Sequence, residues 1–333
     1  MKMLAILLML ALLLTLFAGC KDSDPTASGT SATTAAQTTE TTEPVDAASV
    51  HPMLFHVTGA EGQEGYLFGT IHVGDRRIET AAEKLLPYLD SCNVLAVEFD
   101  LVAYEKDMSA QVQAMTQFVL TDGTTVENHM SEQTYQKASE LLEKAKLMPA
   151  LMKRYNLAMW SQLVEQAALL TCTDYSMEIG MDRSLIRHCY DKKIEVRDVE
   201  SAELQYALLA SFSDELNLLL IENTLDNLDS YGASVEELYT AWLNGDPEEL
   251  VAVLEAEEDG EEAELTDAQI ALLEDYNDKM LTQRNLGMRD RAVEWLNAGD
   301  KVFFAVGAAH LVDEGGLVAL LRAAGYTVEQ VTY

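Results

Sequence analysis

Two apolar runs, more than 200 residues apart, end in the same pattern. Residues 65–71 (Gly-Tyr-Leu-Phe-Gly-Thr-Ile) lead into His72, and Val302 to Val306 lead into Gly307-Ala308-Ala309-His310. Short, continuously apolar runs suit strands covered on both faces. A third such run, residues 93–99, lies between Asp90-Ser91 and Asp100 and carries Glu98 near its end. Ala81 to Leu89 reads as a helix between the first and third runs. This βαβ order predicts an α/β fold, with a central β-sheet built from N- and C-terminal βα units around a large helical middle region.

The middle is predicted helical at Ser131 to Lys146, Tyr155 to Leu170 (amphipathic), Met181 to Cys189, Glu203 to Leu220, Val235 to Trp242 and Ala268 to Asn297. Pro149 breaks the first two apart, and Lys193 to Val199 reads as a strand. The chain closes with a helix from Gly316 to Ala324, Gly325 past its end, and a strand from Thr327 to Val331. Trp160, Trp242 and Trp295 fall on these helices as packing residues.

Ligands of α/β sheets bind beyond the carboxyl ends of the strands. Gly69 and Gly307 are expected to let the backbone turn there, with His72 and His310 projecting into the crevice. A His can act as a neutral metal ligand or a proton carrier near pH 7. Glu98 adds a carboxylate at a third strand end. His72, Glu98 and His310 together make a divalent-metal set with a position open for water. The alternative for each is a polar residue satisfied within its loop.

The N-terminus is a separate region. Lys2 precedes an apolar run from Met3 to Ala18, shorter than the roughly 20 residues of a spanning helix, which reads as a signal peptide over residues 1–19. Its end, Leu16-Phe17-Ala18-Gly19-Cys20, resembles a bacterial lipobox, which implies cleavage before Cys20 and a lipid on its thiol. Residues 20–50 then form a lipidated Cys and a Ser/Thr-rich tether without apolar period, and residues 51–333 form the folded domain. No later segment is long and apolar enough to span a bilayer. The expected location is extracytoplasmic, lipid-anchored to the cell membrane, and the Thr-rich tether favours a Gram-positive envelope.

Composition narrows the partners. With 22 Lys and Arg against 56 Asp and Glu, the formal charge is -34, which repels phosphate backbones and argues against nucleic acid. Seven acids between residues 255 and 264 do not follow the ligand order of an EF-hand and read as a solvated loop. With Cys20 lipidated, Cys92, Cys172 and Cys189 can form at most one disulfide; a Cys172–Cys189 pair and buried free thiols both stay open. The sequence has no Cys-x-x-Cys, His-Glu-x-x-His, Gly-x-Ser-x-Gly, Walker A or Gly-x-Gly-x-x-Gly motif.

Tyr66-Leu67-Phe68-Gly69-Thr70-Ile71-His72-Val73-Gly74 resembles the opening motif of the TraB/PrgY/GumN (TIKI-like) family. Val302 to Gly325 resembles its closing motif, and Ala96-Val97-Glu98 its glutamate strand. Gly180-Met181-Asp182, the pair Glu200 and Gln205, and Arg284-Asn285 are similar to its remaining signatures. Val199 and the segment Val312-Asp313-Glu314 depart from the usual pattern. Animal TIKI members are metal-dependent peptidases, and bacterial TraB-like members are linked to shutting down a peptide pheromone.

The resemblance implies a metallohydrolase of peptidase type, holding Mn, Co or Zn on His72, Glu98 and His310 and acting on a peptide or small molecule. A carboxylate would serve as general base, and Arg284 would hold an anionic intermediate or a substrate carboxylate. It implies a secondary role for Asp182, as a helix cap in preference to a ligand, and for Asn285, as a hydrogen-bonding partner of the loops. The alternative function is a non-catalytic surface lipoprotein that sequesters a peptide or small ligand.

Overall fold

The computed structural model describes residues 45–255 and 265–333. The expected signal peptide, Cys20, the expected tether up to residue 44 and the acidic run 256–264 lie outside the described residues. Six strands form one sheet in the order β4-β3-β5-β2-β1-β6. They are β1 Leu54–Thr58, β2 Glu64–Thr70, β3 Val94–Val97, β4 Glu195–Asp198, β5 Val302–Gly307 and β6 Thr327–Gln330. Strands β2, β5, β3 and β4 are parallel, and β1 runs antiparallel to both β2 and β6.

The late strand β5 lies between the two early strands β2 and β3. Every residue of β3 and β5 is buried, as their unbroken apolar sequences require. The register sets Thr70 beside Gly307 and Val97 beside Ala305, so three carboxyl ends finish at one edge. The chain is an α/β fold with a large helical region, as the sequence predicts.

Strand β1 was not expected. His56 interrupts its apolar run, and its burial alternates because it sits toward the side of the sheet. It forms through a hairpin into β2, in which Gly62 takes a φ of 89° that glycine tolerates.

The helices are α1 Arg77–Leu89, α2 Leu157–Cys172, α3 Met181–Lys192, α4 Ala202–Ala210, α5 Asp214–Asp226, α6 Leu228–Asn244, α7 Gln283–Asn297 and α8 Leu317–Ala323, with others between. The helix expected from Glu203 to Leu220 divides into α4 and α5. Ser213 caps α5, accepting from the Leu216 N–H, and so restarts the helix. The helix expected from Ala268 to Asn297 is interrupted by a π turn at Asp278–Thr282. Gly325 takes the left-handed conformation past α8, as expected. Cys92, Cys172 and Cys189 are all free thiols. Among the described residues, no helix is long and apolar enough to cross a membrane.

Helix α2 is not amphipathic: every residue from Leu157 to Leu169 is buried. This includes Glu165, 1% exposed, with which no Lys or Arg forms an ion pair among the described residues. The Tyr231 hydroxyl donates to its Oε1 at 2.5 Å. Thr224 Oγ1 lies 3.2 Å from its Oε2 and 3.1 Å from the Leu220 carbonyl. A hydroxyl has a single proton. That proton is shared between the Leu220 carbonyl and Glu165 Oε2. Burial pushes the Glu165 carboxyl up to about 7, against the hydrogen bonds from Tyr231 and Thr224.

A folded-state pKa above the ordinary 4.5 means that the folded chain binds the extra proton. The stabilisation is full below about pH 4.5 and is lost as pH rises through about 7. The group's share is about 3 kcal/mol. Glu165→Gln keeps one donor and one acceptor and has no proton to lose. Urea titrations at about pH 5 and about pH 8 are expected to show Glu165→Gln gaining on the wild type at the higher pH. A gap that does not change with pH would contradict the assignment.

Candidate functional site

Glycines at the sheet edge bring the chain segments together. A Cβ on Gly69 would stand 3.0 Å from both Cα and Cβ of Ala308, and one on Gly307 would stand 3.3 Å from Glu98 Oε1. Neither glycine has a positive φ. The expectation that they make the backbone turn is therefore corrected: they provide room. Gly69 lets β2 meet the short turn Ala308–His310, and Gly307 leaves space for the Glu98 carboxylate. Gly180 does the same below His72, where a Cβ would stand 2.3 Å from the His72 carbonyl oxygen. That contact lays the start of α3 against the His72 segment. Helix α6 fixes the other side, with Trp242 Nε1 donating to the Gly69 carbonyl at 2.8 Å.

Each imidazole is held by its Nδ1. His72 Nδ1 lies 2.7 Å from Asp182 Oδ2, and His310 Nδ1 lies 2.6 Å from Asn285 Oδ1. Asn285 Nδ2 donates to the Gly315 carbonyl, which assigns its oxygen to the His310 side. These partners place a proton on each Nδ1 and leave the lone pair of a neutral ring on Nε2. Asp182 makes no capping hydrogen bond at the start of α3, so the expected cap is corrected to a partner of His72. Asn285 joins a loop as expected and orients His310 as well.

Glu98 accepts three hydrogen bonds and keeps one acceptor site on Oε1. Its Oε1 accepts from the Gly307 N–H at 2.9 Å, and its Oε2 from Gln205 Nε2 at 2.9 Å and Arg284 Nη2 at 2.6 Å. Arg284 also reaches Glu200, at 2.7 Å from Nη2 and 3.0 Å from Nε, and donates from Nη1 to the Met280 carbonyl in the π turn. Its three nitrogens are thus engaged by this chain's own acceptors, where the sequence reading had them meeting a substrate anion. His310 Nε2 stands 3.9 Å from Glu98 Oε1, near but beyond a hydrogen bond.

These contacts set the charges. Burial works against ionisation of Glu98, but Arg284, with the Gly307 N–H, outweighs it and holds the carboxyl well below the usual range. Burial disfavours the Arg284 cation, yet Glu98 and Glu200 hold it above its ordinary range. Burial, with Arg284 next, pushes His310 down to about 3, so this ring is neutral. Burial also opposes charge on His72, and Asp182 more than offsets it, leaving that ring above its ordinary value.

His72, Glu98, Asp182, Arg284, Asn285 and His310 are each 7% exposed or less. By donor type, two imidazole nitrogens and a carboxylate oxygen suit a divalent metal, and His72 Nε2 is buried without a protein partner. By spacing, no three His, Cys, Asp or Glu side chains among the described residues stand close enough together to hold an ion. Side chains would have to move to close on one.

The sequence reading gave no chemical role to Glu200, Gln205, Gly180 or Trp242. The first two were visible as a spaced pair. Gly180 was visible in the Gly180-Met181-Asp182 motif, but its clearance role and the contact of Trp242 depend on distant segments meeting.

Arg284 sits between the buried Glu98 and the part-buried Glu200, so removing it leaves both carboxylates uncompensated. Arg284→Met is expected to destabilise the chain by about 3–5 kcal/mol in urea unfolding, with part of the loss recovered by adding Glu200→Gln. A loss below about 1 kcal/mol, the value of an exposed pair, would contradict this.

The sequence profile of the TraB/PrgY/gumN family matches residues 53–330. No curated protein and no solved structure matches the chain.

Proposed function

This chain belongs to the TraB/PrgY/gumN family, and from that premise we propose that it is a metal-assisted hydrolase. It acts on a peptide or small molecule, with its domain held outside a bacterial membrane by lipid on Cys20. The observation that carries this reading is the charge count at the sheet edge. Arg284 is shared by the buried Glu98 and the part-buried Glu200, while a third, buried carboxylate, Asp182, has only the His72 imidazole beside it. Buried anions in surplus call for further positive charge, and two imidazoles held at Nδ1 stand among them.

His72 and His310, through Nε2, and Glu98 are the residues that would hold a Mn, Co or Zn ion. Such an ion lowers the pKa of water and polarises a carbonyl oxygen. Asp182 and Asn285 fix the ring orientations, as hydrogen-bond partners of metal-ligating histidines do. Arg284, Gln205 and the Gly307 N–H keep Glu98 ionised and in place. A carboxylate held so far below its usual range is a weak proton acceptor, which favours Glu98 as a ligand over the general-base role expected from sequence. Arg284 acts through Glu98 as a positioning residue.

Metal content by mass spectrometry and affinity by calorimetry test the reading on the full chain. The expected result is about one ion per chain, lost in His72→Ala and in His310→Ala, with a peptide pool cleaved catalytically. Stoichiometric depletion, with peptide recovered intact on denaturation, would indicate a binding protein. If the wild type binds no ion and both variants fold normally, the metal reading fails.

A further inference from the structure

Thr70 has a hydroxyl that the fold leaves without a partner. The residue is 1% exposed, and its Oγ1 is buried with no hydrogen-bonding protein atom. Such a group costs the folded state stability unless something else meets it. Several other threonine hydroxyls find backbone acceptors, Thr224 with Leu220, Thr171 with Ala167 and Thr173 with Leu169, while Ser139 Oγ, far from the sheet edge in sequence, is also unpartnered.

Its position is not arbitrary. Thr70 is the last residue of β2 and lies in register with Gly307 of the parallel strand β5. Neighbours in register on parallel strands direct their side chains to the same face. The direction of a Cβ on Gly307 is fixed by what it would meet: Glu98 Oε1 at 3.3 Å and His310 Cδ2 at 3.6 Å. The Thr70 hydroxyl therefore shares the face that carries Glu98 and His310. His72, whose Nε2 is the other buried, unpartnered polar atom of this segment, follows two residues later.

We propose that Thr70 is a further residue of this site, its hydroxyl hydrogen-bonding an oxygen atom of the substrate carbonyl or of the attacking water. A hydroxyl can donate to either and can also accept a hydrogen bond from water. The site thus pairs a lone-pair nitrogen at His72 with a donor at Thr70. The proposal rests on the hydrolase reading above for its chemistry, and on the orphaned hydroxyl for its location.

The test compares Thr70→Val, which keeps the shape and removes the hydroxyl, with Thr70→Ser, which restores it. Thr70→Val is expected to melt at the wild-type temperature or above it, because nothing in the protein loses a partner. Its metal affinity should stay close to wild type, while turnover of the peptide pool falls by about a hundredfold, as for loss of one donor to a reacting oxygen. Thr70→Ser should recover most of that rate. A crystal structure of the wild type should place an oxygen within hydrogen-bond reach of Thr70 Oγ1, and the valine variant should lack it. A melting temperature several degrees lower in Thr70→Val would reveal a structural partner and overturn the proposal, as would unchanged turnover. If the wild type shows no turnover at all, the hydrolase reading falls, and the melting temperatures and the bound oxygen still decide Thr70's role.

Discussion

The guanidinium of Arg284 between Glu98 and Glu200 is the interaction on which the rest depends. It joins residues just beyond β3, just beyond β4 and in the first turn of α7, three places far apart in sequence. Taking a guanidinium and two carboxylates out of water is unfavourable unless each finds its partners. The network is complete only when the sheet edge, α4 through Gln205 and α7 have all closed. The π turn ahead of α7 contributes the Met280 carbonyl to the same cation, in keeping with the frequent placement of such turns near functional groups. The result is a rigid anionic cluster with two imidazoles beside it.

Clearance matters as much as charge. Gly69, Gly307 and Gly180 sit where a side chain would collide with Ala308, crowd Glu98 or strike the His72 carbonyl. Through these contacts the two His segments approach each other, and Asp182 arrives at His72. Helix α6 completes the support. Its Trp242 holds the Gly69 carbonyl, and its Tyr239 lies 3.2 Å from Asp75 Oδ1, just past the His72 segment. The same helix carries Tyr231, the partner of Glu165. The buried polar groups of the helical half and the edge of the sheet are therefore connected by one rigid element.

Sequence alone determined the α/β class, the central strands and the placing of His72, Glu98 and His310 just past the carboxyl ends of β2, β3 and β5. Each of those signals is local: a short unbroken apolar run between turn residues suits a covered strand, and ligand sites of α/β sheets lie beyond such strands' carboxyl ends. Gly325 and the short closing helix were legible for the same reason. Strand β1 was not, because its alternation acquires meaning only beside β2. The break between α4 and α5 turned on the Ser213 cap within an otherwise helical apolar pattern. Tertiary structure decided the rest. That Asp182 holds His72 instead of capping its helix, that Arg284 holds Glu98 and Glu200 instead of a substrate anion, and that the glycines give clearance instead of a turn are all contacts between distant segments. A spacing pattern records which residues are present and which face they share; it carries no measure of the distance across a closed core. That distance exists only once β5 has inserted between β2 and β3.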